Sequence, residues 1–249
     1  MNKKKILITG GLGFIGKSLT IKLSKDLYDV YIFDDKRLGK LDKYTENCNI
    51  IEGDVANKND WETIPKCDFV FHFAAPSSII LFNKDFENCV NDTIVGLINC
   101  FNWAIKNSCK KVIYPSSGSI FSNTNKPCNE DTTPNPINTY GKTKLACEEI
   151  SNIYSGLIKS VGLRIFAGYG PQEDHKGEIG SVISLFINSA IKNESPIIYG
   201  DGTQIRDFVY IDDITDALIA LIDNEDDINI LNIGSGSSTS FNRILEIIN

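Results

Sequence analysis

Tyr140 and Lys144 stand four residues apart in the stretch NTYGKTK (138–144), which opens a segment with helical spacing. Four residues on a helix put both side chains on one face, a phenol above an amine. Such pairs also occur on solvated helix surfaces, so the residues before them must decide what this one does. A run with strand character, KKVIYP (110–115), leads into SSGS (116–119) and sets Ser117 at the carboxyl edge of a sheet. Open α/β sheets bind their ligands at that edge. A phenol with its ordinary pKa of about 10 is a poor base at neutral pH, and a fixed ammonium beside it favours the phenolate. The three residues then divide into roles. Tyr140 is a candidate general acid/base, Ser117 a hydroxyl that holds the substrate oxygen and relays its proton, and Lys144 the supporting cation.

A second group of residues says what lies beside that pair. In ILITGGLGFIG (6–16), Gly10, Gly13 and Gly16 follow a strand directly and enter a helix. One glycine permits the tight turn, the next lets backbone approach a diphosphate, and the last lets helix and strand pack closely. The diphosphate then lies over the N–H groups of a helix N-terminus. Asp34 ends the second strand about twenty residues on, where a carboxylate holds the adenosine ribose hydroxyls and repels a 2′-phosphate. The expected cofactor is therefore NAD, and the positive nicotinamide adds to Lys144 in favouring the Tyr140 phenolate. Asp54, after the third strand, is placed either to meet the adenine edge or to serve as a turn residue. His72, between Phe71 and Phe73, reads as a packed strand histidine.

The elements that carry these residues alternate. Strand-like KILIT, DVYIF, CNIIE, CDFVFHF, KKVIYP and SVGLRIF are separated by helical stretches, among them about 14–25, about 87–106 and the one opened by NTYGKTK. Apolar strands alternating with helices predict an α/β fold, a Rossmann-type doubly wound parallel sheet. Residues 1–167 are expected to form the dinucleotide-binding domain. Residues 168–249 are expected to form mainly a small C-terminal substrate lobe, with parts of about 207–233 returning to the first domain.

The 249 residues are 42% hydrophobic and 23% charged, with a formal net charge of −7. That balance suits a globular chain and argues against nucleic-acid binding, which needs a basic footprint. Seven scattered cysteines without a CxxC, and only two histidines, argue against zinc and disulfides and for a reducing, cytoplasmic setting. No apolar run reaches the roughly 18 residues of a membrane span.

GGLGFIG, Ser117 in YPSSGSIF, and YGKTK together resemble the extended short-chain dehydrogenase/reductase family, in its nucleotide-sugar epimerase and dehydratase branch. LRIFAGYGP (163–171), IIYGDGTQIRDFVYIDDITDAL (197–218) and LNIGSGSSTSFNRILEII match the branch's later landmarks. The resemblance implies that Arg206 contacts the nucleotide diphosphate, which suits a bidentate guanidinium; the alternative is a surface pair with Asp207 or Asp201. It also implies homodimerisation through helices near 88–106 and 140–155, and a lobe shortened at its C-terminus. The candidate cofactor-binding set is Gly10, Gly13, Phe14, Ile15, Gly16, Asp34, Asp54, Val55, Phe73, Ala74, Ala75, Tyr140 and Lys144. The substrate set is Ser117, Ser119, Tyr140 and Arg206.

Departures narrow the reaction. Dehydratases of the branch carry acidic residues directly after the serine or threonine, and decarboxylating members use a glutamate there. This chain has Gly118 and Ser119. Fucose-synthase-like members keep a cysteine and a later histidine, where this chain has Gly118 and Ser181. Ala167 replaces an asparagine of the substrate site, and Thr93 one near the cofactor. What remains is proton and hydride transfer at one carbon: a nucleotide-sugar 4-epimerase working through a transient 4-keto sugar. The alternatives are a reductase or dehydrogenase of a nucleotide-linked keto sugar and a non-catalytic dinucleotide-binding module.

Overall fold

A computed structural model describes residues 3–23, 27–45, 48–124 and 126–248. Strands β1 (Lys4–Thr9), β2 (Tyr28–Asp34), β3 (Asn49–Glu52), β4 (Phe69–His72), β5 (Lys111–Pro115), β6 (Lys159–Ile165) and β9 (Ile230–Ile233) form a seven-stranded sheet in the order β3-β2-β1-β4-β5-β6-β9. Every neighbouring pair is parallel. This is the doubly wound sheet that the alternating pattern predicts. The strand order reverses between β1 and β4, which opens a crevice at their carboxyl ends.

Alternation along each strand divides the core between the two faces of the sheet. Ile6 and Ile8 of β1, Phe71 of β4, Ile113 of β5 and Leu163 of β6 pack on one side. They meet Leu19 of helix α1 (Phe14–Lys22) and Ile214 and Leu218 of α7 (Ile211–Asp223). Leu7, Val70 and Val112 point to the other side, against Trp61, Leu97, Phe101 and Trp103. Helix α1 is expected to run to about residue 25; it is seen to Lys22, and residues 24–26 lie outside the described residues.

The stretch expected as one helix over about 87–106 is compound. Helix α2 (Ile79–Lys84) precedes α3 (Phe86–Val90); a π-helical turn (Asn91–Val95) follows, and then α4 (Gly96–Lys106). A π turn inserts one residue into the helical path. Beyond it α4 sits close on the β3–β4 connection. A Cβ at Gly96 would lie 2.8 Å from the Val55 side chain, and Asn99 donates to the Val55 carbonyl at 3.0 Å.

Helix α5 (Thr139–Ile153) starts where Asn138 caps it, its side chain accepting from the Gly141 N–H at 2.7 Å. A second, three-stranded sheet lies after residue 166, in the order β10-β8-β7. Strands β7 (Ala167–Tyr169) and β8 (Ile205–Tyr210) run parallel, and β10 (Ser238–Ser240) pairs antiparallel with β8. Helices α6 (Val182–Ile191) and α8 (Phe241–Ile248) belong to this part. Phe186 of α6 meets Phe241 of α8 edge-on at 6.2 Å.

Candidate active site

The loop after β1 is shaped for close approach. Gly10 has φ 65°, and a Cβ there would lie 2.6 Å from the Ala74 nitrogen; at Gly16 it would lie 2.3 Å from the Gly10 carbonyl oxygen. Both contacts are far inside van der Waals range, so only glycine fits. Gly13 occupies the N-cap of α1 with no side chain capping the helix, so the first-turn N–H groups remain for a ligand. Phe14 and Ile15 begin that turn. The residues present fit a dinucleotide diphosphate.

Asp34 is buried at the end of β2. Its two carboxylate oxygens accept the Leu12 N–H at 3.0 Å and the Lys36 N–H at 2.8 Å. Burial raises its pKa, and the two backbone hydrogen bonds oppose that. Each oxygen keeps a lone pair for a ribose hydroxyl. The nearby cations are engaged: Lys36 pairs with Glu52 at 2.5 Å, and Arg37 with Asp35 and with Asp92 at 2.9 Å. Asp54 accepts from its own turn at Ala56 N–H, 2.8 Å, beside buried Val55. Phe73, Ala74 and Ala75 follow β4. The Thr9 carbonyl takes the Phe73 N–H at 2.9 Å, and its hydroxyl takes the Ala74 N–H at 3.1 Å.

Ser117, Tyr140 and Lys144 come together at the carboxyl edge. The Ser117 hydroxyl stands near enough to the Tyr140 phenol to favour its ionised form. The Lys144 ammonium lies 5.8 Å from the Tyr140 ring centroid. All three are buried, so this is no solvated surface pair. Phe82 of α2 stands edge-on to the phenol ring at 5.4 Å, and Cys89 of α3 completes its packing. Burial pushes the Tyr140 phenol up, opposed by the Ser117 hydroxyl, and burial pushes the Lys144 ammonium down. Burial is the largest cause at both groups, so the lysine alone does not produce a lowered phenol.

Ser119 lies one turn on, its N–H donating to Ser117 Oγ at 3.1 Å. Gly118 backs onto Phe166, where a Cβ would come within 3.1 Å of the ring. The space an acidic side chain would take beside Ser117 is thus crowded. Arg206 stands apart, exposed on β8. It pairs with neither Asp207 nor Asp201: its guanidinium donates to the Ile205 carbonyl at 2.7 Å and lies 6.0 Å from the Phe241 ring centroid. Asp207 is taken by Ser235 N–H at 2.8 Å, its hydroxyl at 2.6 Å and Gly236 N–H at 2.9 Å.

One part of the site escapes sequence reasoning. Ser116, next to Ser117, donates to Glu148 Oε1. Glu148 is held by Arg164 through two hydrogen bonds, Nε to Oε1 at 3.0 Å and Nη2 to Oε2 at 2.9 Å. Glu148 lies four residues beyond Lys144 on the same face of α5, which is the one signal that could have marked it. Among the described residues no group of three or more His, Cys, Asp or Glu side chains is placed to hold a metal ion. No described helix is long and apolar enough to cross a membrane.

The sequence matches the NAD dependent epimerase/dehydratase family over residues 6–234. A putative UDP-glucose 4-epimerase of Methanocaldococcus jannaschii is 36% identical over 252 residues, covering 98% of this chain and 81% of that protein. The solved UDP-N-acetylglucosamine 4-epimerase of Methanobrevibacter ruminantium, in complex with UDP-N-acetylmuramic acid, superimposes with a TM-score of 0.91 at 33% identity, covering 99% of this chain and 81% of the other. The UDP-glucose 4-epimerase of Thermus thermophilus in complex with NAD gives 0.88 at 25% identity, over 98% of this chain and 82% of the other.

Proposed function

The chain belongs to the NAD dependent epimerase/dehydratase family, and from that premise we propose that it is an NAD-dependent nucleotide-sugar 4-epimerase. One observation carries the reading. Ser117, Tyr140 and Lys144 are assembled and buried at the strand ends beside the glycine loop, with Gly118 and Ser119 in place of acidic residues.

Bound NAD would supply a reversible hydride acceptor at C4 and, in its oxidised form, a positive ring beside the phenolate. Tyr140 removes the proton of the C4 hydroxyl and later restores it. Ser117 holds the C4 oxygen beside the phenol, whose ionised form it favours. Lys144 fixes positive charge beside the phenol, its ammonium 5.8 Å from the ring centroid. Gly10, Gly13, Phe14, Ile15 and Gly16 hold the diphosphate, and Asp34 the adenosine ribose. Asp54, Val55, Phe73, Ala74 and Ala75 line the rest of the cofactor's course. Ser119 borders the sugar, and Arg206 takes the nucleotide diphosphate, so that remote binding orients the reacting carbon while the keto sugar turns.

Residues 1–167 form the cofactor domain in this reading and 168–249 mainly the substrate lobe. Support for the division comes from the second sheet, and for the return of about 207–233 from the packing of α7 on α1. A homodimer through α3–α4 and α5 accords with exposed Phe86 and Ile153 on those helices, 53% and 74% exposed. A cytoplasmic setting accords with thiols such as Cys67 and Cys109, which burial pushes up to about 12.

The test is NMR of the protein incubated with catalytic NAD and a panel of UDP-, dTDP-, GDP- and CDP-hexoses. A C4-inverted sugar, lost in Tyr140→Phe while NAD still binds, is the expected result. Normal turnover by Tyr140→Phe refutes the mechanism. Sedimentation as a monomer at micromolar concentration refutes the dimer.

A further inference from the structure

Between β7 and α6 the chain runs back over the glycine loop, through a 3-10 turn (Asp174–Ile179). Gln172 and His175 of this segment form one wall of a cavity of about 250 Å³, and Leu12, Lys17 and Lys40 form the other. Leu12 belongs to the glycine loop and gives its N–H to Asp34 at 3.0 Å. Lys17 lies one turn into α1, its N–H on the Gly13 carbonyl at 2.8 Å. The cavity therefore borders the phosphate and ribose end of the cofactor site. Beside it the Lys176 ammonium stands 4.2 Å from the ring centroid of Phe14, the first residue of α1. Burial raises the Asp34 pKa, and His175 is among the groups that oppose the rise, so the segment also reaches the ribose carboxylate electrostatically.

One carboxylate shapes this segment. Glu173 is buried, 5% exposed. Its Oε1 accepts the Gly170 N–H at 3.2 Å, the Ser181 hydroxyl at 2.9 Å and the Ser184 hydroxyl at 3.0 Å. Its Oε2 accepts the Ser181 N–H at 2.7 Å and pairs with Lys176 at 3.4 Å. Both ends of the segment are thus fastened to its middle, like a buckle. The backbone inside is not relaxed. Gln172 has φ 76°, and Gly170 and Gly177 also lie at positive φ. A side-chain-bearing residue stays in that region only where its surroundings hold it there. The contacts of Glu173 are that hold.

We propose that residues 170–181 are a strap across the phosphate and ribose end of bound NAD, and that Glu173 and Lys176 are positioning residues that keep it closed and so hold the cofactor between turnovers. The glycine loop and the first turn of α1 are the floor of this seat, and Gln172 and His175 are its roof. The lining is basic, with Lys17 and Lys40 in the walls and Lys176 alongside, which suits a diphosphate. Asp42 pairs with Lys17 and keeps that ammonium in place. Lys176 links the two halves of the device, since it touches the buckle at Glu173 and the floor at Phe14. Lifting the roof breaks those contacts, so the rate at which NAD leaves is set by the strap as well as by the seat. A 4-epimerase needs one cofactor for both halves of its cycle, and slow release serves that need.

The strap rests on the proposed seat of NAD at Gly10, Gly13, Gly16 and Asp34, and on nothing in the sugar chemistry. Its test is cofactor exchange without sugar. The protein is loaded with radiolabelled NAD, chased with excess unlabelled NAD, and the retained label is followed by filter binding. Lys176→Met keeps the stem and removes the ammonium from Glu173 and Phe14, Lys176→Arg keeps a cation there, and Glu173→Ala removes the buckle. Lys176→Met and Glu173→Ala are expected to release NAD about 10-fold faster than wild type or more, the worth of one hydrogen bond to a charged group. Lys176→Arg is expected to follow wild type. Melting temperature without NAD separates an open strap from a damaged fold, and Lys176→Met carries the test alone if Glu173→Ala does not fold. Release at the wild-type rate from Lys176→Met, with its fold intact, overturns the strap. The seat fails separately: Gly16→Ala that still binds NAD overturns it, whatever the exchange rates.

Discussion

Replacing Glu148 by glutamine removes one charge from a buried pair and leaves the other in place. The side chains of Arg164 and Glu148 are 6% and 7% exposed, so solvent does little to screen the guanidinium left behind. Removing one partner of such a pair costs about 3–5 kcal/mol. The lower end applies here, because Arg164 keeps the Glu130 carbonyl at 2.9 Å and lies 5.2 Å from the Phe121 ring centroid. The glutamine oxygen can also still accept from one donor. For a chain of this size about 3 kcal/mol lowers the melting temperature by roughly 6–12 °C. The assay is urea unfolding followed by the fluorescence of Trp61 and Trp103, both buried in the core beside α4. Replacing both partners, Glu148→Leu with Arg164→Met, removes the stranded charge and is expected to cost less than the single change. Because Ser116 donates to Glu148 and adjoins Ser117, Glu148→Gln also lowers kcat at a KM close to wild type. A single variant within about 1 kcal/mol of wild type, or a double variant less stable than the single, refutes the account of the pair.

Other outcomes follow from the same geometry. Gly16→Ala is expected to abolish NAD binding, read by fluorescence titration, since its Cβ would lie 2.3 Å from the Gly10 carbonyl oxygen. Arg206→Ala is expected to raise KM for the nucleotide sugar about 10-fold or more, the worth of a charge-assisted contact, with unfolding unchanged because the side chain is exposed. His72 sets an acid dependence. Its folded pKa of about 3 lies below its ordinary 6.5, so its contribution is complete above pH 6.5 and is lost as the pH falls toward 3. That loss amounts to about 5 kcal/mol at roughly 1.4 kcal/mol per pH unit. Urea midpoints measured from pH 7 to 4 are expected to fall less steeply in His72→Gln than in wild type.

What could be read in the chain was what local pattern encodes. Gly10, Gly13 and Gly16 follow β1 at fixed spacing, and Asp34 ends the next strand, so their positions depend on short-range order alone. The strands β1, β4, β5 and β6 were legible because they are largely apolar runs, buried on both faces. The π turn at 91–95 was not, since its hydrogen bonds differ from those of an α-helix by one residue and leave no mark in side-chain periodicity. The Arg164–Glu148 pair is a tertiary contact between α5 and β6, and no sequence period expresses it. Strands β7, β8 and β10 are short and partly exposed, which dilutes their alternation. The desolvation at Tyr140 and Lys144 was not legible either, because spacing shows a neighbour's charge but not how deeply both groups are buried.

The path of the chain also orders events in time. By Ile165 six of the seven strands of the main sheet have been made, whereas β9 arrives only at 230–233. The second sheet closes later still, when β10 at 238–240 pairs with β8, more than thirty residues behind it. A ribosome therefore releases a nearly complete main sheet long before the smaller sheet can close, and domains that emerge first tend to consolidate first. Openings of the smaller sheet need break only its own short ladders, so it forms a cooperative unit of lower free energy than the parallel strands beneath. On the proposed division, the part of the molecule that admits and releases the nucleotide sugar is thus the last to be locked and the first to loosen.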